Sequence, residues 1–188
     1  MKCTERNHDY IPPKARFTLY DLVLIAALSA IGLAIKPLIN PMIHIISSSL
    51  RVPGGSLSGG FLMMWMVLAR VIINKPGTAI IFGFSQGLSV MLLGFFGSHG
   101  VFSIVSYTLP GVVVEVFALF FKGHSLFVLS LFCIVANMTG TLVVAFVVMQ
   151  LPLISMILSV LCSFLSGMLG GYFSDLVLGK MKKYNIVR

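Results

Sequence analysis

Six apolar stretches, each close to twenty residues and nearly free of charge, decide what this chain can fold into. They run over residues 17–35, 57–73, 78–96, 101–121, 126–149 and 153–178. A helix needs roughly 20 apolar residues to cross the hydrocarbon of a bilayer, and most of the six reach that length. In hydrocarbon every backbone N–H and C=O must be satisfied internally, which a helix does on its own. The second stretch is marginal, because its first turn runs into a Ser/Gly passage. Charged residues are 10% of the chain, against about 25% in a soluble domain, so polar groups cannot cover a water-facing surface. The expectation is an all-α membrane protein with six transmembrane helices. Residues 17–180 form one membrane domain between an N-terminal tail, 1–16, and a basic C-terminal tail, 181–188.

The formal net charge of +8 does not point to nucleic acid, because the cations are sorted by side. With both termini cytoplasmic and six alternating spans, Lys2, Arg6, Lys14, Arg16, Arg70, Lys75, Lys122, Lys180, Lys182, Lys183 and Arg188 fall inside. Only Lys36 and Arg51 fall outside. This is a positive-inside bias, an orientation signal, with a further attraction to anionic lipid of the inner leaflet. The first span follows a polar tail of both charge signs and reads as a retained helix, not a cleaved signal. Cys3, Cys133 and Cys162 have neither metal-ligand nor disulfide spacing and read as small buried hydrophobes.

The most polar passage is Arg51-Val52-Pro53-Gly54-Gly55-Ser56-Leu57-Ser58-Gly59-Gly60. Glycine permits close approach of a ligand at an entropic cost, so such a cluster suggests the wall of a small-molecule site. Lys36-Pro37 reads as the end of the first helix, and Pro41 opposes a restart. Residues 42–50 are apolar but too short to span and read as an interfacial segment. A long outer loop between helices 1 and 2 is therefore expected, of the length that serves as a lid. Gly94-Phe95-Phe96-Gly97-Ser98-His99-Gly100 lies on the same side and is the expected neighbour across the mouth. Asn74-Lys75-Pro76-Gly77 reads as a tight inner turn.

Ala26, Ala30 and Ala34 recur at intervals of four in the first span, a small-residue stripe that lets another helix approach closely. It serves either packing within the protein or docking of a membrane partner. Met63-Met64-Trp65-Met66 reads as packing or as an adaptable apolar wall. The last span carries a second small-residue face, Ser159, Ser163, Ser166, Gly167, Gly170 and Gly171. Pro110 interrupts the fourth span. Glu115 is the only carboxylate well inside any span and must face a cavity or a partner; a structural carboxyl and a proton or cation site both fit. No Gly-x-x-x-x-Gly-Lys-Ser/Thr, His-Glu-x-x-His or Gly-x-Ser-x-Gly occurs, so the chain has no P-loop of its own and an enzyme is disfavoured. No metal site and no cofactor are expected. His44 and His99 share the outer side and could converge on a haem iron, which keeps a macrocycle as an alternative cargo. A self-sufficient secondary transporter or channel using Glu115 is the main rival, and a membrane-embedded enzyme or scaffold the lesser one.

The order of these features resembles the substrate-binding S components of energy-coupling factor (ECF) vitamin importers, most nearly the YkoE-like branch. The likeness rests on the Ala26/Ala30/Ala34 helix, the long outer loop, Lys75-Pro76-Gly77, Leu93-Gly94 and Gly111-Val112-Val113-Val114-Glu115. It implies a six-helix solute-binding protein of a prokaryotic plasma membrane that captures a vitamin-like ligand from outside. It implies a transmembrane T component docked on Ala26, Ala30 and Ala34, and two cytoplasmic ATPases. Arg51, Ser56, Ser58, Trp65, Gln86, His99, Tyr107 and Asn137 become the candidate ligand contacts, in a concave, mostly apolar site. The YkoE-like pattern has acids in the third helix where this chain has Gly83 and Val90. Arg51 would favour an anionic or carbonyl-bearing ligand over a cationic thiazolium.

Overall fold

The computed structural model describes residues 16–50, 52–94, 100–121 and 123–183. They form α1 (Leu19–Leu50), α2 (Gly54–Ile73), α3 (Thr78–Leu93), α4 (Phe102–Phe120), α5 (Leu126–Val143) and α6 (Leu153–Lys183). A π-helical turn, Val144–Val148, continues α5. No strand occurs among the described residues. Five helices are long and apolar enough to cross a membrane, and α3 is a sixth, shorter apolar helix. Its 16 residues rise about 24 Å, short of the roughly 30 Å hydrocarbon core. The chain is an all-α, multi-pass membrane protein, and large side chains such as Leu38, Ile45, Phe120 and Ile154 stand exposed on its outer faces.

The long outer loop is not there. α1 continues for 32 residues through Pro37 and Pro41, and only residues 51–53 separate it from α2. A helical proline removes one N–H and crowds the carbonyl four residues back. Here the two faults lie one turn apart, and both prolines are exposed, so the damage stays on one strip. Unwinding residues 42–50 would instead leave a whole run of backbone groups without partners at membrane depth. The chain then reverses sharply, with the Val52 N–H donating to the Ser47 carbonyl at 3.1 Å.

The glycine-rich passage is likewise helical from Gly54 onward, and α2 gains a full 20 residues. α2 is the central helix: 67% of its span window is buried, against 28–39% for the other four span-length helices. It packs on α1, α3, α5 and α6. Its glycines supply closeness rather than loop freedom. A methyl on Gly60 would overlap the Ser166 carbonyl, and one on Gly170 would overlap the Gly60 carbonyl. Ser166 Oγ completes this seam, accepting the Gly60 N–H at 3.1 Å and donating to the Leu57 carbonyl at 2.5 Å. The small-residue face of α6 is thus an internal contact, with Ser159, Ser163, Ser166, Gly167, Gly170 and Gly171 all buried.

The expected turn at 74–77 is present, with Asn74 at φ 48° and Gly77 at φ 89°. Beside it, at one end of the bundle, Lys75 pairs with Asp21 and Arg70 with Glu115. α6 runs through Lys183, so residues 181–183 belong to the helix and not to a tail; residues 184–188, like residues 1–15, lie outside the described residues.

A pocket at the far end of the bundle

At the end opposite those ion pairs, α1, α2, α4 and α5 surround a pocket of about 130 Å³. The continuation of α1 past its prolines makes one wall. Lys36, Asn40 and His44, at intervals of four on one helical face, line it with Ile43. The first turns of α2 make the floor and a second wall, through Pro53, Gly54, Ser56, Ser58, Gly59, Leu62 and Met63. α4 supplies Ser106 and Tyr107; α5 supplies Asn137, Gly140 and Thr141; Val144 of the π turn and Met149 complete the lining. Single π turns inside α-helices recur at functional sites, and this one borders the pocket.

Among the described residues, Lys36 is the one charged side chain of this lining. It is 5% exposed. Its Nζ donates to the Tyr107 hydroxyl at 2.8 Å and lies 4.0 Å from that ring's centroid. Tyr107, as acceptor, keeps its own O–H to donate elsewhere.

Of the expected ligand contacts, Ser56, Ser58, Tyr107 and Asn137 are brought together in this lining. Their polar atoms are already partly engaged. The Ser56 hydroxyl donates to the Pro53 carbonyl at 2.7 Å and the Ser58 hydroxyl to the Gly54 carbonyl at 3.1 Å, which leaves both oxygens as acceptors. Asn137 Nδ2 donates to the carbonyls of Ser163 at 2.9 Å and Ser56 at 3.3 Å, tying α5 to α6 and α2. A methyl on Gly59 would overlap Asn137 Oδ1. Asn137→Ala is therefore expected to lower stability by about 1–3 kcal/mol and to weaken ligand binding as well. Thermal unfolding in detergent checks the first effect and ligand titration the second. A variant that binds less but melts as the parent would make Asn137 a ligand contact alone.

Trp65 and Gln86 are not in the lining. They meet across Gly32 of α1, where a methyl would lie 2.7 Å from Gln86 Nε2 and 3.3 Å from Trp65 Cδ1. Trp65 Nε1 and Gln86 Nε2 are both buried without a protein acceptor. Arg51 and His99 lie outside the described residues. Ala26, Ala30 and Ala34 are all exposed on α1. Two residues separate each from the Gly32, Lys36, Asn40 face, a turn of about 200° around the helix. The stripe thus points away from the pocket.

Glu115 lies at the other end. It accepts from Arg70 Nε at 2.9 Å and from the Ala79 N–H, in the first turn of α3, at 2.8 Å. Each side chain is 11% exposed. Gly83 faces α4: a methyl there would overlap the Tyr107 carbonyl and lie 3.1 Å from Thr108 Cα. No carboxylate fits at that position. Among the described residues no three His, Cys, Asp or Glu side chains group as metal ligands.

Lys36 and Asn40 are lining residues that sequence reasoning missed, and His44 it weighed only as a haem ligand. Their four-residue spacing was a signal, hidden by reading Lys36-Pro37 as the end of a helix.

The architecture is a polytopic helical bundle with a mostly apolar pocket, carrying a few polar groups, at one end. A solved structure, the crystal structure of an S-component of an ECF transporter, has this fold: TM-score 0.74 at 19% identity, covering 91% of this chain and 88% of that one. The chain belongs to the family described as the permease component of the ABC-type cobalt transport system, whose model matches residues 20–139. No curated protein sequence matches it.

Proposed function

We propose that this protein is the substrate-binding S component of an ECF-type, ATP-driven importer in a prokaryotic plasma membrane. The pocket between α1, α2, α4 and α5, in a bundle with an S-component fold, carries the reading. Charge supports its orientation. Arg70, Lys75, Lys180, Lys182 and Lys183 lie toward the end away from the pocket, and the positive-inside rule assigns that end to the cytoplasm. The pocket then opens outward, toward a solute to be captured. A transmembrane T component and two cytoplasmic ATPases supply the energy.

The family description names cobalt. A free divalent cation suits this pocket poorly, because the Lys36 ammonium would repel it, so the cargo is an organic micronutrient of the vitamin class.

The exposed Ala26, Ala30 and Ala34 stripe supports docking of the T component, since small residues allow close helix approach in lipid. Co-expression with a T component and its ATPases, followed by pull-down and uptake assays, tests the proposal. Ala30→Trp is expected to reduce complex recovery and uptake at least ten-fold while leaving ligand binding by the isolated chain unchanged. Uptake driven by an ion gradient in liposomes holding this chain alone would overturn the reading.

A further inference from the structure

We infer that the pocket takes a compact organic acid, with the ligand carboxylate seated between Lys36 Nζ and the Tyr107 hydroxyl. The inference rests on reading this pocket as the substrate site.

It begins from an unbalanced charge. Lys36 is 5% exposed, and its partners are a phenol oxygen and a phenol ring, both neutral. An ammonium presents three donors, of which one goes to Tyr107. A cation held away from water needs an opposite charge or it costs several kcal/mol.

The chain has five acids. Asp21 and Glu115 are paired with Lys75 and Arg70 at the opposite end. Asp175 is in the last turns of α6, one turn beyond Gly171, which packs on Ser130 in the first turns of α5; that is again the opposite end. Glu5 and Asp9 precede α1. Lys36 stands 17 residues into α1 and 14 before its end, about 25 Å and 21 Å along the axis. It is not a helix-end lysine reaching for the interface. A buried ionisable group that faces a cavity within a membrane helix bundle marks a functional-site candidate, and the missing charge is one a ligand can bring.

The geometry suits a carboxylate. Tyr107 accepts from the ammonium and so has its own O–H free to donate. Ammonium and phenol together offer adjacent donors to two carboxylate oxygens, and charge-assisted hydrogen bonds are the stronger kind. One lysine balances one negative charge; a phosphate monoester carries about −1.5 to −2 near neutral pH and would be left in excess. The body of the ligand meets Ile43, Leu62, Met63, Val144 and Met149, with Asn40 also in the lining. The cavity of about 130 Å³ is near the roughly 150 Å³ that accommodates a benzene ring.

The test uses the full chain purified in detergent, as wild type, Lys36→Met and Lys36→Arg. Small molecules released on denaturation are identified by mass spectrometry, with carbodiimide–methylamine coupling to reveal carboxyls. Nicotinate against nicotinamide and benzoate against benzamide are then titrated as matched probes, read by thermal shift. The expected result is a retained molecule with a carboxyl and no phosphate. Acid probes should bind at least ten-fold more tightly than their amides. Lys36→Met should lose both the retained acid and the preference, and Lys36→Arg should keep most of each with the same elution profile. A retained neutral, cationic or phosphorylated molecule overturns the inference and leaves the S-component reading standing. So does an acid held equally by Lys36→Met. Failure of every version to retain or bind anything overturns the substrate-binding reading itself.

Discussion

Gly60→Val is expected to leave little folded protein after detergent extraction, with the surviving fraction melting far below the parent. The site is the tightest seam of the bundle. Its added carbons would meet the Ser166 carbonyl and the Gly167 nitrogen of α6, which are backbone atoms and cannot rotate aside. α6 would have to retreat along the seam, breaking the Ser166 bridge to Gly60 and Leu57. Overpacking ordinarily costs about 1–3 kcal/mol. Moving a whole helix exceeds the upper value, which corresponds to a melting midpoint lowered by roughly 6–12 °C in a chain of this size. Gly179→Ala is the control, because a methyl there meets nothing within 4 Å and alanine favours the helix by about 0.5–1 kcal/mol. Equal melting of the two variants would mean that the seam is slack.

The second large effect is at Glu115. Its carboxylate joins the last turn of α2, through Arg70, to the first turn of α3, through the Ala79 N–H. It sits where the α3 N-terminus has unpaired donors and a favourable dipole. Removing one member of a largely buried pair leaves the other charge uncompensated, typically at about 3–5 kcal/mol. Glu115→Ala should therefore lower the melting midpoint by roughly 10 °C. The double variant Arg70→Met/Glu115→Leu should be less destabilised than the sum of its singles, since an apolar pair of similar volume is often tolerated. Additive losses would refute the coupling. A Glu115→Gln variant that melts normally but loses gradient-driven uptake would instead revive the carboxyl as a transport group.

The fold was largely readable from the chain because hydrocarbon leaves few options. Six apolar stretches in lipid have to be helices, and the Asn74–Gly77 turn announced itself through residues that tolerate its backbone angles. The errors fall at Pro37, Pro41 and the glycine passage, where residue types carry opposite meanings in water and in lipid. Proline ends most helices in water; in a membrane, the cost of exposing several further backbone groups exceeds the cost of two missing N–H donors, and α1 runs on. Glycine signals a turn when alone in solvent and a close helix crossing when buried. The Gly54–Gly60 passage, read as the end of a long loop, is instead the first turns of α2, where Gly54 and Gly59 still line the pocket.

The candidate site was half legible. Ser56, Ser58, Tyr107 and Asn137 were polar residues in apolar surroundings, and the chain had to gather them somewhere. Trp65 and Gln86 met the same criterion and gather elsewhere, around Gly32, because the helical phase of α2 and α3 turns them from the pocket.

Sequence alone determined the solvent, the helical class, the sorting of charge between the two ends and the absence of a P-loop, all of which follow from local composition and period. Only the tertiary structure decided that Glu115 closes an ion pair while Lys36 faces the pocket with no acid beside it among the described residues. The pairing of a charge depends on which helices cross, and Lys36 and Tyr107 meet only once the bundle brings α1 and α4 to opposite sides of the pocket.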